Sequence, residues 1–347
     1  MQRRHALTLL GLGAVTMVSG CGGSSSSSDT TAATDGSSAT DSSSVASVAS
    51  DGSTTVTTAT TSPTDLVALA QADPDLSILV EAVVAADLVT TLKGSGPFTL
   101  LAPNNAAMAA LLTELGMTKS QLLADKPLLT TVLTYHVLSG KVEQAQIPAG
   151  KAISTLQGGI FKVDVVGDSA TITDGRNRTA KIVSTDRQAS NGVMHGIDRV
   201  LLPANQTLLQ TAQALPQFSI LVEAIMAANL QDALSAPGPL TVFAPTNNAF
   251  ALLLTELTVD KAALLASGAL LTDLLRYHVV PGRVLKADVP IDSAITTLEG
   301  QTFTVSSDLV VTDQLLRGTQ ISATDVLASN GVIHVIDRVL LHVPMRP

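Results

Sequence analysis

Apolar residues recur at helical spacing in the first part of the sequence, from Leu76 to Val83. Asp73 and Pro74 precede them and provide a capping side chain and a first-turn proline. Residues 94–97 break this pattern, and the short apolar run at 98–101 is typical of a buried strand. A second helix is predicted from Asn104 to about Leu115, and a third over residues 126–135.

After Gly140 the helical period gives way to short runs of β-branched or alternating residues, separated by Gly, Asp and Asn. These runs predict strands over residues 152–156, 161–165, 170–173, 181–184 and 194–202. Helices that come first and strands that follow are typical of an α+β domain, since a parallel α/β fold would alternate the two.

Most of this pattern occurs twice. Residues 77–82 recur unchanged at 219–224, and the Tyr-His-Val of 135–137 recurs at 277–279, both at an offset of 142. The Ala-Ser-Asn-Gly-Val of 189–193 recurs at 328–332, an offset of 139, so the second copy has lost three residues between these landmarks. A period this long indicates a duplicated domain, because solenoid repeats run about 20–50 residues. We therefore predict domains at 63–203 and 204–347, packed together because only residues 203–207 separate the two copies.

The N-terminal residues predict export and a lipid anchor. Arg3 and Arg4 precede an apolar run that is too short to span a bilayer, which is the layout of a signal peptide over 1–20. The sequence Val-Ser-Gly-Cys at 18–21 resembles a bacterial lipobox, and Cys21 is the only cysteine in the chain. Cys21 is therefore the predicted lipidation site. Residues 21–62, rich in Ser, Thr and Ala, predict a disordered tether between lipid and domains.

Composition narrows the possible partners. Aromatic residues make up 2% of the chain, Trp is absent, and the net charge is −9. An acidic surface repels phosphate backbones, so nucleic-acid binding is not expected. Contact with a membrane is expected through the lipid anchor only.

Three segments of each copy together resemble the signature of the fasciclin I domain. In the second copy they are residues 241–250, 277–282 and 330–340, and in the first 98–108, 135–140 and 191–201. The resemblance covers about residues 64–343. It implies two α+β domains, each a β-sandwich or wedge flanked by helices, and an extracellular adhesion role without catalysis or cofactors. The first copy departs from the pattern at Met108, where the second has Phe250, and at Ser139, where it has Pro281.

The candidate recognition sites are the pairs Tyr135-His136 and Tyr277-His278, which contain the only tyrosines. In the family this dipeptide is associated with adhesion. A structural role at a helix-to-strand junction is the favoured interpretation, since a buried hydroxyl and imidazole normally find hydrogen-bond partners.

The other motif residues are expected to be structural. They are Pro103, Asn104, Asn191, Gly192 and His195 in the first copy, and Pro245, Thr246, Asn247, Asn330, Gly331 and His334 in the second. The paired histidines could suggest zinc, but no cysteine or spaced carboxylate completes a ligand set, so no metal site is predicted. His334 is expected to be a hydrogen-bonded core histidine in a central strand.

Two further features have simple structural interpretations. Residues 174–176 predict a solvated hairpin with a basic tip in the first copy only. Asp198-Arg199 and Asp337-Arg338 predict a salt bridge or turn contact at the end of the last strand. The chain has no nucleophile elbow, phosphate-binding glycine loop or paired carboxylate motif.

The leading hypothesis is an exported, lipid-anchored, non-enzymatic module in the cell envelope that binds a protein or a matrix or cell-surface glycoconjugate. The alternative is a periplasmic carrier or sensor of a small apolar ligand, and a hydrolase is a third possibility. A deep pocket lined by Leu and Val favours the carrier, whereas a shallow exposed apolar patch favours adhesion. We expect the second copy to carry most of the binding, because it lies closer to the family pattern.

Overall fold

The computed structural model describes residues 64–167 and 169–343. The predicted signal peptide, Cys21 and the predicted tether lie outside the described residues. In the described part of the chain, no helix combines the length and the apolar character needed to cross a bilayer.

The two copies fold into domains with the same order of elements. The helices of the first domain are α1 (Leu66–Gln71), α2 (Ser77–Ala85), α3 (Val89–Leu92), α4 (Asn105–Leu115), α5 (Lys119–Ala124) and α6 (Lys126–Tyr135). Its strands are β1 (Phe98–Pro103), β2 (Val137–Ser139), β3 (Ala152–Ser154), β4 (Ile160–Val166), β5 (Ser169–Thr173), β6 (Thr179–Ala189) and β7 (Gly192–Ile197).

The second domain repeats this series. Its helices are α7 (Leu208–Gln213), α8 (Ser219–Ala227), α9 (Gln231–Ser235), α10 (Asn247–Leu257), α11 (Lys261–Leu265) and α12 (Ala269–Tyr277). Its strands are β8 (Leu240–Pro245), β9 (Val279–Pro281), β10 (Ile295–Thr296), β11 (Thr302–Val305), β12 (Val310–Thr312), β13 (Gly318–Ala328) and β14 (Gly331–Ile336).

Each domain contains one seven-stranded sheet with a single parallel pair. The order is β2-β1-β7-β6-β5-β4-β3 in the first domain, and the second has the same order with its own strands. β1 pairs in parallel with β7, and every other neighbouring pair is antiparallel. The long strand β6 carries two register shifts between Ile182 and Arg187. Such bulges bend a strand, and β6 pairs with β7 along one part of its length and with β5 along the other.

Each domain accordingly has two cores. One lies between the helices and the sheet, where Leu79, Leu129 and Met194 are buried. The other lies between the two parts of the bent sheet, where Tyr135 meets the edge of Phe161 at a centroid distance of 6.2 Å. The structure thus confirms the predicted α+β pair of wedge-shaped sheets with flanking helices.

The strand predicted over residues 194–202 is shorter in the structure. β7 ends at Ile197, where the Asp198 carboxylate accepts the N–H of Lys181 at 2.7 Å and the chain leaves the sheet. In the second domain, Asp337 accepts the N–H of Gln320 in the same way, and Arg338 pairs with Glu256 at 2.6 Å. Both the expected turn contact and the expected salt bridge occur here.

The hairpin at residues 174–178 corrects one prediction. Asp174 is buried, and its carboxylate accepts the N–H groups of Arg176, Arg178 and Leu202 as well as the Arg178 guanidinium. It is therefore an internal clamp and not a solvated turn.

The clamp is also not confined to the first copy. Asp313 and Arg317 form the same bidentate pair in the second domain, and the Asp313 carboxylate accepts the N–H of Leu341. Sequence matching missed it because the tip residues between Asp and Arg differ between the copies.

The two domains pack against each other within one compact unit. Lys162 on β4 forms a 3.0 Å salt bridge with Asp325, which is buried at a bulge of β13. The Asn177 amide donates to the carbonyl of Leu327 at 3.0 Å and accepts its N–H at 2.6 Å. Ile160 joins Leu285, Leu327 and Val332 in a small apolar cluster.

Two opposing effects act on the pKa of Lys162. Burial lowers this pKa, because it disfavours the charged ammonium group, but the carboxylates of Asp325 and Asp164 raise it by more. The net effect is a raised pKa, so the salt bridge keeps Lys162 charged.

We predict that Lys162→Met lowers the free energy of unfolding by about 3–5 kcal/mol, because it leaves the Asp325 carboxylate buried without its cation. Urea denaturation followed by circular dichroism measures this change. Lys119→Met is the matched control: its exposed pair with Glu81 is worth about 0–1 kcal/mol. Equal effects of the two substitutions would contradict the assignment of Lys162 as the interdomain anchor.

Candidate functional site

The Tyr-His pairs lie at the end of a long helix and the start of a strand in both domains. Tyr135 ends α6 and is fully buried, and its hydroxyl donates to the carbonyl of Ile160 at 2.5 Å and accepts the N–H of Gly175 at 2.8 Å. Tyr277 ends α12 and is also fully buried, with its hydroxyl 2.9 Å from the carbonyl of Thr302. Each phenol thus ties the helix end to the far part of the sheet.

The two histidines that follow use both ring nitrogens inside the protein. Nδ1 of His136 donates to the carbonyl of Val132 at 2.7 Å, and Nε2 accepts the N–H of Leu201 at 2.9 Å. His278 makes the same contacts with Leu274 and Leu340 at 2.8 and 2.9 Å. These partners assign the Nδ1–H tautomer. Neither ring faces solvent, so a partner could not contact these histidines without opening the fold.

Burial fixes the protonation of these two rings. It lowers the pKa of His136 and of His278 to about 4, because the charged imidazolium is poorly solvated in the core. Burial also raises the pKa of the Tyr135 and Tyr277 hydroxyls. All four side chains are therefore neutral near pH 7, and the ring contacts above are those of neutral imidazoles.

The second histidine of each domain holds the bulge of the long strand. Nε2 of His195 donates to the carbonyl of Val142 at 2.9 Å, and Nδ1 accepts the N–H of Asp186 at 3.3 Å. His334 bonds to Val284 and Asp325 in the same arrangement, at 2.8 and 3.4 Å. Both are buried in the strand that pairs in parallel with the first strand of the domain. In the described residues, no group of three or more His, Cys, Asp or Glu side chains is placed to hold a metal ion.

The Asn-Gly turn before the last strand connects three parts of the domain. The Asn191 side chain accepts the N–H of Leu66 at 3.0 Å and donates to the carbonyls of Leu92 and Gly94 at 2.7 and 2.9 Å. Asn330 makes the same three contacts, with Leu208, Leu234 and Ala236.

The glycine that follows is required by a close backbone approach. A Cβ on Gly192 would lie 2.1 Å from the carbonyl oxygen of Phe98, and one on Gly331 equally close to that of Leu240. No side chain fits at either position, because the two parallel strands meet there.

The remaining motif residues begin the helix that follows the first strand. Pro103 and Pro245 are the last residues of β1 and β8. The side-chain amide oxygen of Asn104 accepts the N–H of Ala107 at 2.8 Å, and the Thr246 hydroxyl accepts that of Ala249 at 3.3 Å, so both are N-caps.

The side chain of Asn247 connects the start of α10 to the start of α8. Its amide oxygen accepts the N–H of Ile220 at 3.0 Å, and its amide nitrogen donates to the Ser219 hydroxyl.

The departures of the first copy from the signature have unequal consequences. Met108 and Phe250 are both buried in the helical core, so a binding partner cannot contact either side chain. Ser139 and Pro281 are exposed at the ends of β2 and β9.

Two residues with distinct roles in the structure were not identified from the sequence. Lys162 joins the two domains. Arg283 has a guanidinium group with no carboxylate within 4 Å in the described part of the chain. A comparison of charges between the copies would have indicated Arg283, since Lys141 at the same place is followed by Glu143 and Arg283 by Leu285.

We predict that His278→Ala lowers the free energy of unfolding by about 1–3 kcal/mol at pH 7, because the buried N–H of Leu340 loses its acceptor. The substitution should also flatten the pH dependence. The unfolded histidine titrates near 6.5 and the folded one near 4, so the unfolded state binds more protons between these values and stability falls as the pH drops. Between pH 7 and 4.5 the variant should lose about 2–3 kcal/mol less than wild type.

Urea titrations at several pH values measure both effects. His136→Ala provides the matched test, because its ring makes the same contacts in the other domain. A variant with wild-type stability and an unaltered pH profile would contradict the structural role.

The sequence was compared with models of known protein families and with known proteins. The fasciclin-domain model matches residues 74–203 and 216–342. The chain is 29% identical over 255 residues to transforming growth factor-beta-induced protein ig-h3 of Sus scrofa, which covers 72% of this chain and 35% of the relative. It is 41% identical over 143 residues to protein sll1483 of Synechocystis sp., which covers 40% of this chain and 73% of that protein. The match therefore spans about a third of the length of the animal relative.

A solved structure is also similar, a FAS1 domain pair from the insect cell adhesion molecule fasciclin I. The TM-score is 0.38 and the identity 19%, over 77% of this chain and 97% of that one. The family model alone accounts for both copies and for most of the chain. The protein therefore belongs to the fasciclin-domain family and contains two copies of its domain.

Proposed function

We propose that this protein is an exported, lipid-anchored adhesion module without catalytic activity, and that the second domain carries most of its binding. The partner is a protein or a glycoconjugate of a matrix or cell surface. The observation that carries the proposal is the unequal use of the same hairpin in the two domains. In the first domain the tip residue Asn177 is occupied by hydrogen bonds to Leu327. In the second domain the equivalent residue is Leu316, which is 85% exposed.

A single exposed aliphatic side chain is common on protein surfaces, so it is the position of Leu316 at a hairpin tip that makes it available to a partner. The packing between the domains uses the tip of the first domain and leaves the tip of the second free. These features support a recognition surface on the second domain, with the first domain as its support.

The buried Tyr-His pairs are consistent with a binding surface elsewhere on the domain. Their hydroxyl and imidazole groups are engaged by main-chain partners, so we assign them to the fold and not to recognition. The same engagement leaves these histidines without a lone pair for general-base catalysis.

The carrier alternative has one feature in its favour, an apolar cavity in the second domain. It lies beside His278 and is lined mainly by aliphatic side chains, among them Leu221, Ile225 and Leu275. Its volume is about 40 Å³, whereas ligand pockets typically measure about 300–1,000 Å³. The adhesion proposal is therefore the better supported of the two.

We predict that Leu316→Lys weakens attachment of the two-domain head by about fivefold or more, because it places a charge where an apolar contact forms. Val166→Lys is the matched control, since Val166 is a hairpin-tip aliphatic of the first domain that is 79% exposed. Attachment to cell-envelope material can be measured by biolayer interferometry with residues 64–343 immobilised. A stronger loss with Val166→Lys than with Leu316→Lys would assign the binding to the first domain instead.

We predict that Cys21→Ser moves the protein from the membrane fraction to the soluble exported fraction, because it removes the thiol that would carry the lipid. Gly23→Ser should leave the distribution unchanged. Mass spectrometry of the mature N-terminus provides the direct measurement, and the expected species begins at residue 21 and carries acyl chains. An unmodified Cys21, or cleavage at another bond, would show that the anchor is assigned wrongly.

A further inference from the structure

A polar cleft of about 300 Å³ lies between the two domains. One wall is the turn that leads into β4, including Gln157 and Gly159, and the linker at Pro203 and Ala204 lies beside it. The other wall belongs to the second domain and includes Arg283 and Ser329. The cleft exists only because the domains are packed together, and its volume lies within the range of small-ligand sites.

Among the described residues, Arg283 is the only ionisable side chain that lines this cleft. Its Nε–H is buried and is not hydrogen-bonded to any group in the described part of the chain. Within the same part of the chain, no carboxylate lies within salt-bridge distance of its guanidinium group. The Arg283 side chain is half-buried, and this lowers its pKa because the charge is less well solvated there. A guanidinium group nevertheless stays protonated in proteins, so the cleft contains an uncompensated positive charge.

The first domain shows how such a cation is normally compensated. Lys141 stands at the position of Arg283 and pairs with Glu143 at 2.9 Å. The residue equivalent to Glu143 is Leu285, which is fully buried in the apolar cluster between the domains. The second domain has thus exchanged the acid for an apolar contact and kept the cation. The unpaired charge is a consequence of forming the interface.

The chemistry of the cleft restricts what could bind there. One unpaired guanidinium favours a single anionic group, and its planar donor fork matches a carboxylate. The other polar side chains are neutral: the amide nitrogen of Gln157 and the hydroxyl of Ser329 make no hydrogen bond with the described residues, and both side chains are exposed to the cleft. Such groups suit the hydroxyls of a sugar more than a second charge.

We propose that the cleft between the domains binds a sugar acid, whose carboxylate pairs with Arg283 and whose hydroxyls bond to Gln157 and Ser329. The ligand is either a free uronate or a uronate residue of a polysaccharide. The site is separate from the Leu316 hairpin tip, so either proposal can fail without the other.

Isothermal titration calorimetry of the two-domain protein with D-glucuronate tests the site directly. Wild type should bind glucuronate and should bind glucose, sodium chloride and sodium sulfate much more weakly. Arg283→Gln should reduce the affinity by about tenfold or more, since it removes the charge and the fork. Lys141→Gln is the matched control, because it removes the equivalent cation of the first domain, and it should bind as wild type does.

Ser329→Asp provides a second variant that does not alter the packing, because Ser329 is exposed. It places a carboxylate on the cleft wall opposite a bound uronate and should also abolish binding. A glucuronate-terminated oligosaccharide distinguishes the two sources: tighter binding than the monosaccharide indicates a polysaccharide, and exclusion of the oligosaccharide indicates the free sugar acid.

Thermal unfolding supplies a readout that does not depend on calorimetric heat. Glucuronate should raise the melting temperature of wild type and not that of Arg283→Gln, because a ligand stabilises only the state that binds it. Without ligand, Arg283→Gln should melt at or above the wild-type temperature, since it removes a partly buried, unpaired charge. No binding of glucuronate to wild type, equal binding of chloride or sulfate, or unchanged affinity in Arg283→Gln would overturn the proposal.

Discussion

The pairing of the first strand of each domain with its two neighbours is the constraint on which the rest of the fold depends. β1 lies between β2 and β7, and each of these three strands belongs to one of the three signature segments that recur in both copies. Gly192 lets β7 approach the carbonyl of Phe98, and the carbonyl of His136 accepts the N–H of Leu101 on the other side. The turn, the Tyr-His junction and the capped helix start are therefore three attachments to one strand. A change in any of them would shift β1 relative to both cores.

The same constraint explains why the histidines are neutral and enclosed. His136 and His195 lie on opposite sides of β1, and each satisfies main-chain groups that the irregular backbone leaves unpaired. A buried N–H or carbonyl without a partner costs about as much as several apolar contacts contribute. An imidazole satisfies one donor and one acceptor at once, which an aliphatic side chain cannot do. These histidines therefore lie where the helix-to-strand junction and the bulge of β6 leave main-chain groups outside the regular strand pairing.

Local patterns predicted most of the fold. The helical periods, the start of a helix at Asn104 and the strands after Gly140 follow from the sequence, because each depends on neighbouring residues. The Asp174 clamp was misinterpreted because its partner Leu202 lies 28 residues away and its carboxylate looks like that of any turn. Lys162 was missed for the same reason, since its partner Asp325 lies in the other domain. The charge difference at Arg283 is visible when the copies are compared, but the cleft that Arg283 lines is created by packing between the domains.

The two domains contribute different surfaces to the interface between them, although they are copies of one another. Asp186 and Asp325 occupy the same bulge, but only Asp325 receives a lysine. Around Asp186 the first domain has Glu143 and Gln188, where the second has Leu285 and Leu327. A polar surface of this kind does not bury the apolar contact that Ile160 makes in the observed pair. The second domain in turn has Thr304 where the first has Lys162, so its β11 cannot make the same salt bridge. The two contact surfaces that we propose, the tip at Leu316 and the cleft at Arg283, both lie where the two domains differ.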